Sequence, residues 1–273
     1  MLKRSITGLI FGVLVISSLL YNFWSAAILL LIILFFSLRE WNLHFNKSSN
    51  PIKTSLLIFS LSIFCGIAFF LTMIPELGYF AFWISGISIF YIFLILYLVF
   101  WKKESSLSWT TPSSGFMYVV LPLIAAMLYL SKDYNNSKYW ILGFIIMNWS
   151  NDTFAYFTGK IFGKTPLAPS ISPNKTWEGS AGGLIGCVLA AFLCNHFLFH
   201  SGFEFWKIIL LGVLICVTGS FGDLFESSLK RAVGIKDSGN ILPGHGGFMD
   251  RFDSFFFIIP TGIFLVGLLT HLK

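Results

Sequence analysis

Apolar runs long enough to cross a lipid bilayer recur along this chain, and their recurrence limits the fold more tightly than any motif. Nine stand out, at about 5–20, 23–38, 54–74, 78–100, 114–131, 138–158, 177–199, 206–228 and 254–271. A hydrocarbon layer about 30 Å thick takes roughly 20 residues of helix, and lipid offers no partner to a free peptide group. Each run is therefore expected to be a helix, and the chain an all-α polytopic membrane bundle with a polar, cytoplasm-facing site. The first two runs are short and could instead form one re-entrant hairpin. Composition agrees, because 56% hydrophobic residues against 11% charged exceed what a soluble core can bury.

The loops orient the bundle. If nine spans alternate, fourteen Lys and Arg residues fall on one side, while Lys132, Lys138, Lys207 and Lys273 fall on the other. The positive-inside rule makes the first side, with the N-terminus, cytoplasmic and puts the 159–176 and 229–253 loops on that face. Lys3 and Arg4 imitate a signal peptide, but no small-residue cleavage site precedes Phe23, so the first run is expected to stay in the mature protein. Trp24, Trp41, Tyr79, Trp101, Trp109, Tyr139, Trp177 and Trp206 lie near run ends and fit an interfacial belt. Cys65, Cys187, Cys194 and Cys216 all lie in apolar runs, which implies buried, reduced thiols. Pro122 and Pro260 fall inside runs and predict kinks.

Polarity divides the chain. The first five runs contain no internal Asp, Glu, Lys or Arg and read as lipid-facing scaffold, an N-terminal region over 1–131. The expected catalytic membrane region spans 132–273. Its first run holds Asn148, Asn151 and Asp152, with Asn148 and Asp152 on one helical face. An ionisable group at membrane depth points to function, although an Asp can also serve to bond a neighbouring helix. Next come Lys160, Lys164 and the stretch SPNKTWEGSAGG, where Ser172, Asn174 and Lys175 suit an anion and Gly179, Gly182 and Gly183 permit close backbone approach. The same residues also read as a helix start, with Thr176 as cap, Glu178 favouring the dipole and the glycines as a packing face.

Charge is densest from Gly219 to Ser254, where thirty-six residues hold five acids, four bases, a His and seven glycines. Asp223 lies about two turns before its run ends, so this carboxylate sits within the membrane boundary and needs a cation or a hydrogen-bond donor. Glu226 and Lys230, four apart, could pair with each other or take part in chemistry. Lys230, Arg231 and Lys236 could neutralise phosphate or form a basic loop border. His245, Gly246 and Gly247 could fold about an oxyanion or be plain turn residues. Asp250, Arg251 and Asp253 open the last run. Asp223 and Asp250, among these cations, suit Mg²⁺, which takes a few carboxylates plus substrate oxygens.

The run Ser227-Ser-Leu-Lys230-Arg231, then four residues, then Lys236-Asp237-Ser-Gly239-Asn-Ile-Leu242-Pro243-Gly-His245-Gly246-Gly247-Phe-Met-Asp250-Arg251-Phe-Asp253 resembles the signature of the phosphatidate cytidylyltransferase, or CDP-diacylglycerol synthase, family. Upstream, Asp152-Thr-Phe-Ala155-Tyr156, Gly159, Phe162-Gly163-Lys164 and Ser172-Pro173-Asn-Lys175-Thr176-Trp-Glu178-Gly179 resemble the family's second region. The resemblance covers about residues 148–254. It implies transfer of CMP from CTP to phosphatidic acid in a Mg²⁺-dependent, membrane-embedded homodimer, with Asp223 and Asp250 holding the cations. A second, monovalent cation is left open, and no nucleic-acid partner is expected.

Under this expectation the lipid phosphate is the nucleophile and needs no strong base, so catalysis is chiefly neutralisation and alignment of two anions. Lys175, Lys230, Arg231 and Arg251 would share the phosphate charge, and His245 with its glycines would meet the departing pyrophosphate. Ser172 and Lys236 complete the phosphate-binding set; Asn148, Asp152 and Asp253 support it. A CTP-dependent lipid-alcohol kinase is the alternative chemistry. A transporter fits less well, because the polar residues gather near one face.

Overall fold

The computed structural model describes residues 2–45, 52–97, 112–239 and 246–271. Among the described residues nine helices follow the nine predicted runs in order. They are α1 (Leu2–Tyr21), α2 (Phe23–His44), α3 (Ile52–Met73), α4 (Phe80–Leu96), α5 (Leu121–Lys132), α6 (Tyr134–Phe162), α7 (Trp177–Cys194), α8 (Phe205–Ala232) and α9 (Phe255–His271). The turn Pro112–Gly115 and the π turn Phe116–Val120 lead into α5. By length and composition five helical stretches can cross a membrane: Phe23–His44, Ser55–Thr72, Glu76–Leu96, Trp177–Phe199 and Phe205–Ala232. Three shorter apolar helices accompany them, Gly8–Tyr21, Phe116–Lys132 and Phe255–His271. At 29 residues α6 is long enough, but its polar residues lower its hydropathy.

Local chemistry sets the helix ends. Asn22 separates α1 from α2: its side chain accepts from the Ser25 amide, and Ser25 Oγ accepts from the Asn22 amide. With α2 long enough to cross alone, it need not share a re-entrant hairpin with α1. Pro122 opens α5 directly after the π turn, where the ladder is already shifted, whereas Pro260 lies inside α9.

Side-chain contacts fix which helix ends lie together. At one end Tyr134 Oη donates to Leu19 O at 2.5 Å, the Lys132 ammonium lies 4.4 Å from the Tyr79 ring centroid, and Lys207 Nζ donates to Leu269 O at 3.5 Å. At the other end are the C-terminal turns of α2, α6 and α8, the N-terminal turns of α7 and α9, and the loops joining them. The charged residues of the signature gather there.

Between α6 and α7 a β-hairpin replaces the expected plain loop. Strand β1 (Pro166–Ala168) pairs antiparallel with β2 (Ser172–Thr176), in register Pro166 to Thr176 and Ala168 to Ser172. Glu178, at the start of α7, accepts from the Lys164 amide at 3.1 Å and the Thr165 amide at 3.2 Å, closing the hairpin's base. Thr176 caps α7 through the Gly179 amide at 3.1 Å, as its position predicts. Beyond the cap, Gly179, Gly182, Gly183 and Gly186 lie on one face against α6. A methyl group on Gly182 would overlap Thr158, one on Gly183 would overlap Asn151, and one on Gly186 would overlap Phe154. These glycines bring two helices together, the packing side of the alternative the sequence left open.

Two sequence expectations need correction. Trp41 is not interfacial: it is buried against Phe45, Tyr118 and Gly115 in the core. Cys65 is exposed on α3, while Cys187, Cys194 and Cys216 are buried; all four are free thiols. Helices show bilayer-facing and core-facing surfaces alike, and apolarity alone does not separate them. Trp101 and Trp109 lie outside the described residues.

Candidate functional site

A cavity of about 460 Å³ opens where α6, α7 and α8 converge on the hairpin. Asn151, Asp152, Tyr156 and Lys160 of α6 line it, with Asn174 and Lys175 of β2 and Ser220 and Asp223 of α8. Inside it Lys175 Nζ meets Asp223 Oδ2 at 2.6 Å, joining residues that the sequence separates by a full helix. Ser227, one turn along α8, donates to Asp223 Oδ1 at 3.2 Å. The Asp223 side chain stays 34% exposed, so a ligand in the cavity can reach it. Ion pairs this open stabilise a fold by about 1 kcal/mol or less. Stability therefore gives little reason for placing this one in a cavity wall, whereas binding of a charged ligand does.

Two turns further along α8 lies a second and drier cluster. Lys230 Nζ sits 2.5 Å from Glu226 Oε2 and 2.7 Å from Asp250 Oδ1, and Glu226 is fully buried. The expected Glu226–Lys230 pair is therefore present, with Asp250 as a third member. An ammonium has three donors, so one N–H of Lys230 is left for a ligand. Two acids around one base are stable only together, since removing one partner of a buried pair costs roughly 3–5 kcal/mol.

Asp250 also shapes its own loop. Its Oδ2 accepts from the Gly247 amide at 2.7 Å and the Ser238 amide at 2.9 Å, drawing the two sides of the loop together. Burial raises the affinity of this carboxyl for a proton, but the Lys230 charge and the two amides outweigh it and hold Asp250 below the ordinary carboxylate range. Asp253 goes the other way, pushed up to about 8 by burial and then by the neighbouring Asp223 carboxylate. Gly246 has a φ of 82°, which a β-carbon disfavours, and a methyl there would come within 2.8 Å of Asp250 Oδ2.

The remaining predicted residues are placed as follows. Arg231 is exposed and donates to Ile171 O at 3.4 Å and Ile235 O at 3.1 Å, tying the hairpin tip to the segment after α8. Ser172 begins β2, and Lys236 is exposed beyond α8. Arg251 lines a small crevice with Asn148 and Trp149. Asn148 donates to Asp152 Oδ2 at 3.4 Å, as the shared helical face predicts, and its own Oδ1 is buried without a hydrogen-bond partner. Asp253 Oδ1 accepts from the Ser254 amide at 2.6 Å. His245 lies outside the described residues.

Reading the first five runs as scaffold alone missed Glu40, near the end of α2. This carboxylate is buried and binds the signature loop, accepting from the Phe248 amide (2.7 Å), the Met249 amide (2.7 Å) and Ser238 Oγ (2.8 Å). One signal was available, for Glu40 is the sole acidic residue before Glu76. Ser220 and Ser227, beside Asp223, carried no signal of their own.

No group of three or more His, Cys, Asp or Glu side chains among the described residues is arranged to hold a metal by itself. A cation that draws most of its ligands from substrate needs less. Asp223 offers exposed oxygens, while Asp250, with Oδ2 saturated by two amides, offers the lone pair that Lys230 leaves on Oδ1. Both are carboxylate oxygens, the ligand type Mg²⁺ prefers, but of the two only Asp223 lines the cavity.

A family model described as the cytidylyltransferase family matches residues 2–269. A phosphatidate cytidylyltransferase of Staphylococcus haemolyticus is 36% identical over 203 residues, which are 72% of this chain and 76% of that protein. A Bacillus subtilis protein of the same name is 38% identical over 181 residues, 65% of this chain and 67% of its own length. One from Aquifex aeolicus reaches 46% over 136 residues, half of each chain. These names give no support to a lipid-alcohol kinase.

Proposed function

The chain belongs to the cytidylyltransferase family, and from that premise we propose that it transfers CMP from CTP to phosphatidic acid, yielding CDP-diacylglycerol and pyrophosphate. A phosphate oxygen of the lipid attacks the α-phosphorus of CTP. A P–O bond forms there as the bond to the β-phosphate bridging oxygen breaks, and pyrophosphate leaves with that electron pair. The observation that carries this reading is Lys175 on the hairpin meeting Asp223 on α8 in a cavity, at the bundle end that also holds Asp250 and Arg251.

Both reactants are anions, so the main barrier is their mutual repulsion. Lys175 is set to exchange Asp223 for a triphosphate oxygen, and Lys230 has one donor for another. Arg231, bound to the hairpin tip at Ile171, and Arg251, in its crevice beside Asn148, add positive charge at the same bundle end, with Ser172, Lys236, His245, Gly246 and Gly247 as further phosphate contacts. Asn148, Asp152 and Asp253 support this polar wall. Mg²⁺, held by Asp223 and Asp250, would supply neutralising charge for the CTP phosphates.

The lipid accounts for the membrane setting, since acyl chains can stay in the bilayer while the headgroup enters at its boundary. The excess of Lys and Arg supports placing this end in the cytoplasm of a bacterial plasma membrane, where CTP is available. A homodimer belongs to the same proposal, and cross-linking in native membranes tests it. The deciding experiment supplies radiolabelled CTP, phosphatidic acid and Mg²⁺ to purified protein. A lipid-soluble labelled nucleotide, with pyrophosphate released in equal amount, is the expected result; release of CDP with no labelled lipid would refute the reading.

A further inference from the structure

Glu40 lies in the last turns of α2, where the helix dipole disfavours an acid, so helix stability does not explain it. Nor does an ion pair among the described residues, for its oxygens face hydrogen-bond donors of the signature loop. Oε1 takes the Phe248 amide, and Oε2 takes both the Met249 amide and the Ser238 hydroxyl. Those amides open the short turn Met249–Arg251, in which Asp250 and Arg251 sit, and they would otherwise be orphaned in a buried place. Asp250 meanwhile binds the same loop from inside, through the amides of Ser238 and Gly247.

We infer that Glu40 is a positioning residue for the transfer reaction, an anchor on α2 that fixes the loop carrying Asp250 and Arg251 against α8. The role rests on the proposed CMP transfer, since what it positions is the phosphate-handling side of that site. A carboxylate is required, not merely a polar group. Three donors converge on two oxygens, and an amide would turn an N–H toward at least one of them. The anchor also joins the N-terminal helices to the chemistry, so the expected division into scaffold over 1–131 and catalytic region over 132–273 is crossed here.

The test uses the full chain in detergent with wild type, Glu40→Gln, Glu40→Asp and Ser238→Ala. Hydrogen exchange of the peptide covering 246–250 is read beside kcat and KM for CTP, per molecule in the monodisperse fraction. Glu40→Gln should speed exchange in that peptide by at least about tenfold, equivalent to about 1.4 kcal/mol. Exchange in α6 and α7 should not change, and kcat should fall by a similar factor. Glu40→Asp should lose less than Glu40→Gln, and Ser238→Ala, which removes one of three bonds, should fall between wild type and Glu40→Gln.

Wild-type exchange in Glu40→Gln overturns the anchor. Faster exchange with unchanged kcat overturns the positioning role, as does faster exchange throughout the protein. If Glu40→Gln does not fold, Ser238→Ala decides by the same two readouts. Should wild type itself form no lipid nucleotide, the proposed reaction fails and the positioning role with it, while the exchange measurement separately shows whether Glu40 holds the loop.

Discussion

Gly247→Ala places a single methyl group where the loop has no room for one. Its carbon would overlap Ser238 Oγ and lie 2.6 Å from the Gly239 amide nitrogen and 2.7 Å from Glu40 Oε2. The hydroxyl can rotate away, but the amide nitrogen is backbone and the carboxylate is held by two other amides. Overpacking of this kind costs roughly 1–3 kcal/mol. Displacing the Ser238 hydroxyl from a charged acceptor adds about 1.5 kcal/mol or more. A total near 3 kcal/mol lowers the ratio of assembled to open loop by about 150-fold, at 1.36 kcal/mol per factor of ten. The assay is CMP transfer per folded molecule, with Gly66→Ala as the control, because a methyl on Gly66 meets nothing within 4 Å. The control should keep full activity and gain up to about 1 kcal/mol of helix propensity. Wild-type transfer by Gly247→Ala would refute the packing of Glu40, Ser238 and Gly247 described above.

Three further substitutions separate the parts of the site. Asp223→Asn should abolish transfer without reducing the amount of folded protein in membranes, and full activity would remove Asp223 from metal binding. Lys175→Ala should raise KM for CTP by at least about tenfold, the loss of one charge-assisted contact, with a smaller change in KM for phosphatidic acid; equal shifts in both would detach Lys175 from the triphosphate. Thr176→Ala removes the cap of α7 and should cost about 1 kcal/mol, read as a lower melting temperature. An unchanged melting temperature would mean that the hairpin holds the helix start without it.

The nine helices were legible because lipid or a dry core demands a long apolar run for each, and run length can be counted directly. The cap at Thr176 and the pairing of Glu226 with Lys230 were legible for a related reason, since both are local and governed by helix periodicity. The hairpin was not, being only eight strand residues, two of them proline, with little apolar alternation. The glycines of α7 allowed two readings, and only the neighbouring helix chose between phosphate contact and packing.

By itself the sequence determined the helix order, the concentration of charge near one end of the bundle and the kinship of residues 148–254. Tertiary structure decided the partnerships: Lys175 with Asp223, Lys230 shared by Glu226 and Asp250, and Glu40 reaching the loop 198 residues away at Ser238. The physical reason is that a buried charge must find a partner, but nothing in local pattern says which distant segment provides it. That choice is made when helices pack and bring their ends to a common level.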